Sequence, residues 1–313
     1  MAARRGTGTL EVPDLGSKVR LHEYPASELP AHPDLAPYQT SGDQPDLKSF
    51  IISTLSEGNS FVTSYIPAVI KVRTSQKTVP PSKATVQLAA HRISAARLPA
   101  EARTESGESW FVRSSLHKSE KAAGTADWEE FEEALLDNHS QHEMDYTPDV
   151  FDAYRVLSWD EELAKMGNIV GSWEKVEMGI FEMAHKIPPP LTNRVFSVLV
   201  VKAKNTAVTP NSFIIVQIPI EISRVQTALY ANGRHKKEGD TMQKKKDITM
   251  GVYTSVERCE LEDNGHVKWV MATASNAKGN LPMFVQKQAI PDAIAKDVAL
   301  VIGWLDKRRN GKA

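Results

Sequence analysis

Over residues 110–117 the chain alternates, with Trp110, Val112 and Leu116 on one face and Phe111, Arg113, Ser115 and His117 on the other. This period of two predicts a strand. Further strand candidates run at 173–187, 194–203, 213–222, 248–261 and 267–275, and Asn264-Gly265 between the last two is a hairpin signal. Helical spacing marks three other stretches. Residues 46–58 place Leu47, Phe50, Ile51 and Leu55 on one stripe, with Asp46 as N-cap and Gly58 past the end. Residues 127–136 open on a capping-box pair, Asp127 and Glu130, and carry Trp128, Phe131 and Leu135 at helical intervals. Residues 282–309 read as a helix broken at Pro291, whose second part aligns Ile294, Val298, Val301, Ile302 and Leu305. A long amphipathic helix after an antiparallel meander has the meander's concave face to cover. The predicted class is therefore α+β, a curved antiparallel sheet wrapped around a long C-terminal helix.

The rest of the chain lacks such periodicity. Residues 1–45 hold six prolines (Pro13, Pro25, Pro30, Pro33, Pro37 and Pro45) and read as an extended arm. Residues 71–103 carry seven basic side chains against Glu101 alone, with Pro80-Pro81, and read as a solvated loop. A second basic loop spans 234–246, whereas residues 127–162 hold thirteen Asp and Glu opposed only by Arg155. The expected organisation is an arm over 1–45, one domain over 46–308 with a basic loop insertion at 71–109, and a tail at 309–313.

Composition changes this picture little. The 313 residues are 41% hydrophobic and 25% charged, with 38 Lys and Arg against 39 Asp and Glu, so no global basic field would hold nucleic acid. The amino terminus has basic residues but no apolar run after them, and Ala2 stands where a myristoylation signal needs glycine. The most apolar stretches, 195–201 and 298–302, fall well short of the roughly 20 residues that span a bilayer. One cysteine, Cys259, allows no intramolecular disulfide. Cytoplasm is the expected location.

No nucleotide-binding glycine loop and no Gly-x-Ser-x-Gly elbow occurs. His139 and His142 are three apart without a third metal ligand placed by spacing, so no metal is expected. What stands out is polar residues inside apolar strands: Arg113, Ser115 and His117 together, Gln217 within 213–218, and Glu182 and His185 within 178–185. A buried polar group left unpaired costs about 1–3 kcal/mol, so each meets either an internal partner or a ligand. Arg113 or Arg194 with Glu143, Glu182 or Glu257 is the internal alternative. Trp173, Phe181, Met183, Phe196, Tyr253, Trp269, Met271 and Phe284 are the apolar counterpart, either core filling or cavity wall.

Several motifs occur in a recognisable order: Trp110-Phe-Val-Arg-Ser-Ser-Leu-His117, His139-Ser-Gln-His-Glu-Met-Asp-Tyr-Thr-Pro148, Phe181-Glu-Met-Ala-His-Lys-Ile-Pro-Pro-Pro-Leu191, Arg194-Val-Phe196, Tyr253-Thr-Ser-Val-Glu-Arg258 and Trp269-Val-Met-Ala-Thr-Ala-Ser275. Their order over 46–308 resembles the fungal domain of unknown function 3074 family, within the START-like superfamily of StAR-related lipid-transfer proteins. Gly279-Asn-Leu-Pro-Met-Phe284 looks like the entry to that superfamily's last helix. The resemblance implies a helix-grip fold with an internal hydrophobic tunnel for a lipid, sterol, polyketide or terpenoid. It implies Arg113, Ser115, Trp173, Phe181, Met183, Phe196, Gln217, Tyr253, Trp269, Met271 and Phe284 as ligand-binding candidates. Two classes stay open, a carrier and a cofactor-independent cyclase or pericyclase of secondary metabolism, the latter with His117, Tyr146, Glu182 and His185 as catalytic candidates. Neither needs a cofactor. The partners expected are a hydrophobic small molecule and, through the basic loops, a transiently contacted membrane. A docking module built on those loops is a third reading.

Overall fold

The computed structural model describes residues 13–40, 42–70, 75–206, 211–239, 241–279 and 283–311, with residues 283–287 described by their backbone alone. The chain opens as a strap that holds a two-residue strand, β1 (Tyr24–Pro25), and leads to helix α1 (Leu47–Ser60). Asp46 caps α1 by accepting the Ser49 amide at 2.8 Å, and Phe50, Ile51 and Leu55 are its buried side, as the spacing requires. A π-helical turn and α2 (Ile66–Val69) continue it. Strands β2 (Ser75–Thr78), β3 (Thr85–Ile93) and β4 (Glu108–Lys118) precede α3 (Trp128–Phe131), α4 (His139–Tyr146), β5 (Val150–Ser158) and α5 (Asp160–Lys165). The meander β6 (Trp173–His185), β7 (Asn193–Asn205) and β8 (Ser212–Glu221) follows. A long connection containing α6 (His235–Glu238) then leads to the hairpin β9 (Ile248–Leu261) and β10 (His266–Asn276), and α7 (Met283–Arg309) comes last.

The strands form one sheet in the order β2-β3-β4-β10-β9-β8-β7-β6-β5, antiparallel along that path. Alternation then sorts side chains between two cores. Trp110 and Val112 of β4 join Val216 and Ile218 of β8, α1 and the strap on the outer face. Phe111 joins Phe213, Trp269, Met271 and the α7 stripe of Ile294, Val298, Val301, Ile302 and Leu305 on the inner face. The sheet therefore has helices on both sides, and α7 lies in its concave face. Asp127 and Glu130 make the expected reciprocal capping box at α3.

Three sequence expectations need correction. The basic stretch 71–103 is not simply a loop. β3 runs through it with Val86, Leu88 and Ile93 buried and Arg92 exposed, an alternation masked by the charges around it; residues 71–74 lie outside the described residues. The C-terminal helix does not break at Pro291. Pro in a helix interior costs about 3 kcal/mol, but the buried stripe on the following turns holds α7 against the sheet and carries the helix through. The arm is a strap whose side chains enter the outer core: Val19, Leu29 and Leu35 are fully buried. It is fastened by the buried Glu108, which accepts Arg20 Nη1 at 3.0 Å, the Leu21 amide at 2.6 Å and Trp110 Nε1 at 2.7 Å.

One end of the sheet is opened by β8. It pairs with β9 from Ser212 to Gln217, then leaves, and Ile220 and Glu221 pair in parallel with β1. Where β8 departs, β7 meets β9 directly, with Asn193 opposite Ile248 and Phe196 opposite Gly251. Glycine is needed there, because a Cβ on residue 251 would lie 2.4 Å from Phe196 Cε1.

Candidate ligand cavity

Between the concave face of the sheet and helices α4 and α7 lies a cavity of about 290 Å³. Met183, Phe196, Tyr253, Trp269, Met271 and Ile294 form most of its apolar wall. Asp149, Ala293 and Lys296 line it from exposed positions and mark its opening. Every strand that contributes does so from alternate positions: Met183 and His185 on β6, Tyr253, Ser255 and Glu257 on β9, and Trp269, Met271, Thr273 and Ser275 on β10.

The polar end is built around Arg113, which is 1% exposed. Its Nη2 donates to Glu257 Oε1 at 2.7 Å, Trp269 Nε1 donates to the same oxygen at 2.7 Å, and the guanidinium carbon lies 4.0 Å from the Trp269 ring centroid. Nε and Nη1 of Arg113 have no hydrogen-bond partner among the described residues. A buried guanidinium anchored on one side and free on the other presents donors to whatever occupies the cavity.

Two more carboxyl groups line the same space, Glu143 from α4 and Asp297 from α7. Burial, with Asp297 and Glu257 nearby, pushes Glu143 up to about 8. Burial pushes Asp297 up to about 6, against the pull of Arg113. Burial and these carboxylates also hold the Tyr146 and Tyr253 phenols above the usual range. His139 is neutral by construction. Its Nδ1 donates to Leu135 O at 2.8 Å, Gln217 Nε2 lies 3.1 Å from Nε2, and burial lowers its pKa.

Of the residues singled out in the sequence, Arg113, Tyr146, Met183, His185, Phe196, Gln217, Tyr253, Trp269 and Met271 surround this cavity. Others lie elsewhere. His117 shares the concave face but is sealed off by Phe131 and Trp269, with ring centroids 5.0 and 6.0 Å away, and bonds Ser115 Oγ at 2.9 Å. Ser115 is thus its partner and not a cavity residue. Trp173 faces the outer core, because a bulge between Glu174 and Glu177 shifts the alternation of β6. Phe181 lies beyond the cavity, in a neighbouring cleft with Gln141 and Lys202. The side chain of Phe284 lies outside the described residues. His139, Glu143, Ser255, Glu257 and Asp297 also line it without having been named as ligand-binding candidates.

Glu182 is the clearest correction. It points away from the cavity and accepts the amides of Leu229, Tyr230 and Ala231 at 2.7, 2.9 and 2.6 Å, pinning the connection between β8 and β9. This fully buried carboxylate is structural. Glu182→Ala would leave these amides without their acceptor, and at about 1–3 kcal/mol each the variant should lose on the order of 3 kcal/mol or more in chemical denaturation. Arg194 also meets no carboxylate among the described residues. It donates to Ala277 O at 2.7 Å and to Lys278 O at 3.4 Å, tethering the lead into α7.

The shifted groups predict a pH dependence whose sign can be worked out. His117 and His185, lowered to about 3 and about 4, contribute stability above the ordinary histidine pKa that is lost as pH falls toward those values. Glu143 and Asp297 act oppositely: a carboxyl with a raised folded pKa contributes stability at low pH that is lost as pH rises through the folded value. From about pH 7 to about pH 8 the histidines are mostly neutral in both states and Glu143 dominates. The thermal midpoint should therefore fall across that window, and Glu143→Gln should flatten the slope.

Among the described residues no helix is long and apolar enough to cross a membrane. A family model described as protein of unknown function (DUF3074) matches residues 110–305. No curated protein matches the sequence. Among solved structures, human StAR-related lipid transfer protein 5 is similar at 9% identity, covering 84% of this chain and 99% of its own, with a TM-score of 0.49. Human STARD10 is similar at 13% identity, covering 82% and 81%, with a TM-score of 0.46.

Proposed function

The chain belongs to the DUF3074 family, whose model matches well over half of its length, and on that premise we propose that it binds one hydrophobic small molecule in the cavity under α7. The observation that carries this reading is the pairing of an apolar wall with a buried Arg113 whose Nε and Nη1 face no protein acceptor. An apolar body fills the wall, and an oxygen on the ligand accepts from the free edge of the guanidinium. One of the similar solved structures is by name a lipid transfer protein, in keeping with a lipid or another hydrophobic ligand here. Mass spectrometry of molecules extracted from the purified protein tests the reading, together with titration against sterols, phospholipids and fatty acids. A stoichiometric hydrophobic ligand is expected, and nothing extracted or bound across these classes would reject it.

A second reading, a cyclase or pericyclase, draws on Tyr146 and His185 standing at the same cavity beside Glu143 and Asp297. Shape and one well-placed acid or base suffice for such chemistry. Unchanged product formation by alanine variants at these positions would remove it. The basic connection before β9 supports transient contact with an anionic membrane, since Met242 is 80% exposed there among lysines. Binding to anionic vesicles that survives Met242→Asp together with reversal of Lys236, Lys237, Lys245 and Lys246 would exclude that connection. A cytoplasmic location is part of the same proposal.

A further inference from the structure

The charges inside the cavity do not balance. Arg113 is matched by Glu257 at 2.7 Å, so that pair leaves no charge over. Glu143 and Asp297 then face the same space from two different helices. No described residue donates a hydrogen bond to either carboxyl group, and the nearest basic atom to Glu143 is the neutral His139 Nε2, 3.9 Å from Oε2. Lys296 is exposed at the rim and makes no ion pair among the described residues. The second observation is independent. The Arg113 guanidinium, 1% exposed, leaves two donor atoms unpartnered beside the same cavity. The protein thus supplies a donor edge without an acceptor and two acceptors without a donor.

We propose that the ligand's polar end is a cationic amine seated between Glu143 and Asp297, on a hydrophobic body that also carries an oxygen acceptor for Arg113. An ammonium brings donors for both carboxyl groups and the positive charge the cavity lacks. A carboxylate head would meet Arg113 only after passing two acidic groups in a space of low dielectric, and like charges there repel strongly. Burial raises the pKa values of Glu143 and Asp297, the latter against the pull of Arg113 and Lys296, so the protein's own cations do not offset the cost of burying these carboxyl groups. This inference rests on the cavity being a ligand site, as proposed above.

The test compares heads on one chain: decylamine, decan-1-ol and decanoic acid, titrated calorimetrically at pH 7.5 against the wild type, Glu143→Gln and Asp297→Asn. The wild type should bind decylamine at least about tenfold more tightly than decan-1-ol. Each substitution should reduce that preference several-fold, and a near-ultraviolet circular dichroism spectrum matching the wild type shows that each variant keeps its fold. Decylamine bound no more tightly than the alcohol, or bound equally by the variants, would overturn the amine assignment and leave the cavity reading standing. Decanoic acid binding most tightly would overturn it too, giving the head to Arg113 alone. If none of the three binds, the amine assignment is overturned, and the cavity reading is decided separately by the extraction and titration against sterols, phospholipids and fatty acids.

Discussion

Arg113→Met should cost about 3–5 kcal/mol of unfolding free energy, the range expected when one partner of a buried ion pair is removed. The pair is buried, with Arg113 1% and Glu257 8% exposed, and among the described residues Trp269 Nε1 would remain the only donor to Glu257 Oε1. Methionine keeps the length of the side chain and packs against Trp269, so the loss measured by chemical denaturation reports mainly the stranded carboxylate. Glu257→Leu combined with Arg113→Met should recover most of that stability, because a buried pair replaced by apolar side chains of similar volume is often neutral or better. Ligand recognition should separate from stability in this series. The double variant should remain folded yet have lost the oxygen-accepting end of its site, so binding of an oxygenated ligand stays weak while the fold recovers. Equal loss of stability in the single and double variants would refute the pairing as described.

Glu108→Ala should have an effect of similar size by a different route. Glu108 sits on β4 with 1% exposure and gathers three donors, two of them from the strap. Its removal strands the Arg20 guanidinium, which among the described residues is otherwise bonded only to Gly16 O at 2.9 Å and lies 5.1 Å from the Phe61 ring centroid. A loss of about 3–5 kcal/mol is expected in denaturation. Limited proteolysis should at the same time move to residues 13–40, because Val19, Leu29 and Leu35 would lose the fastening that keeps them in the outer core. Protection of the strap equal to that of the wild type would show that its apolar contacts hold it without Glu108.

The course of β4, β6, β7, β8, β9 and β10 was legible from alternating or continuous apolar runs, and the Asn264-Gly265 turn fixed the last hairpin. β5 was not legible, since Asp152 and Arg155 interrupt it and two register shifts break its alternation. The strap was hidden for a related reason. Proline density marks extended chain, but it does not say whether Leu29 and Leu35 find a core to enter. Eight of the candidate site residues surround the cavity because inward alternation on the strands places them there, and Tyr146 reaches it from α4. Glu143 and Asp297 were not proposed as ligand contacts, since they come from helices on the other wall and only the tertiary fold sets them face to face. Glu182 was misread for a simpler reason: a carboxylate in an apolar strand signals burial and a partner, and the partner is the backbone of a loop 47 residues away.

The sheet also has two free margins, and the chain treats them differently. At one, β2 is only four residues long, exposed throughout, and carries Lys77, which pairs with Asp292 of α7. At the other, β5 is broken by irregularities between Val150 and Asp152 and between Arg155 and Leu157, and Arg155 pairs with Asp160 beside it at 2.8 Å. Short length, charge and bulges are the devices by which an open sheet refuses another strand. A cavity protein with a curved, open sheet risks polymerising by adding strands at its rims. Here that route is closed at both ends, so the protein can keep a pocket open beneath its sheet without the sheet itself becoming a template for aggregation.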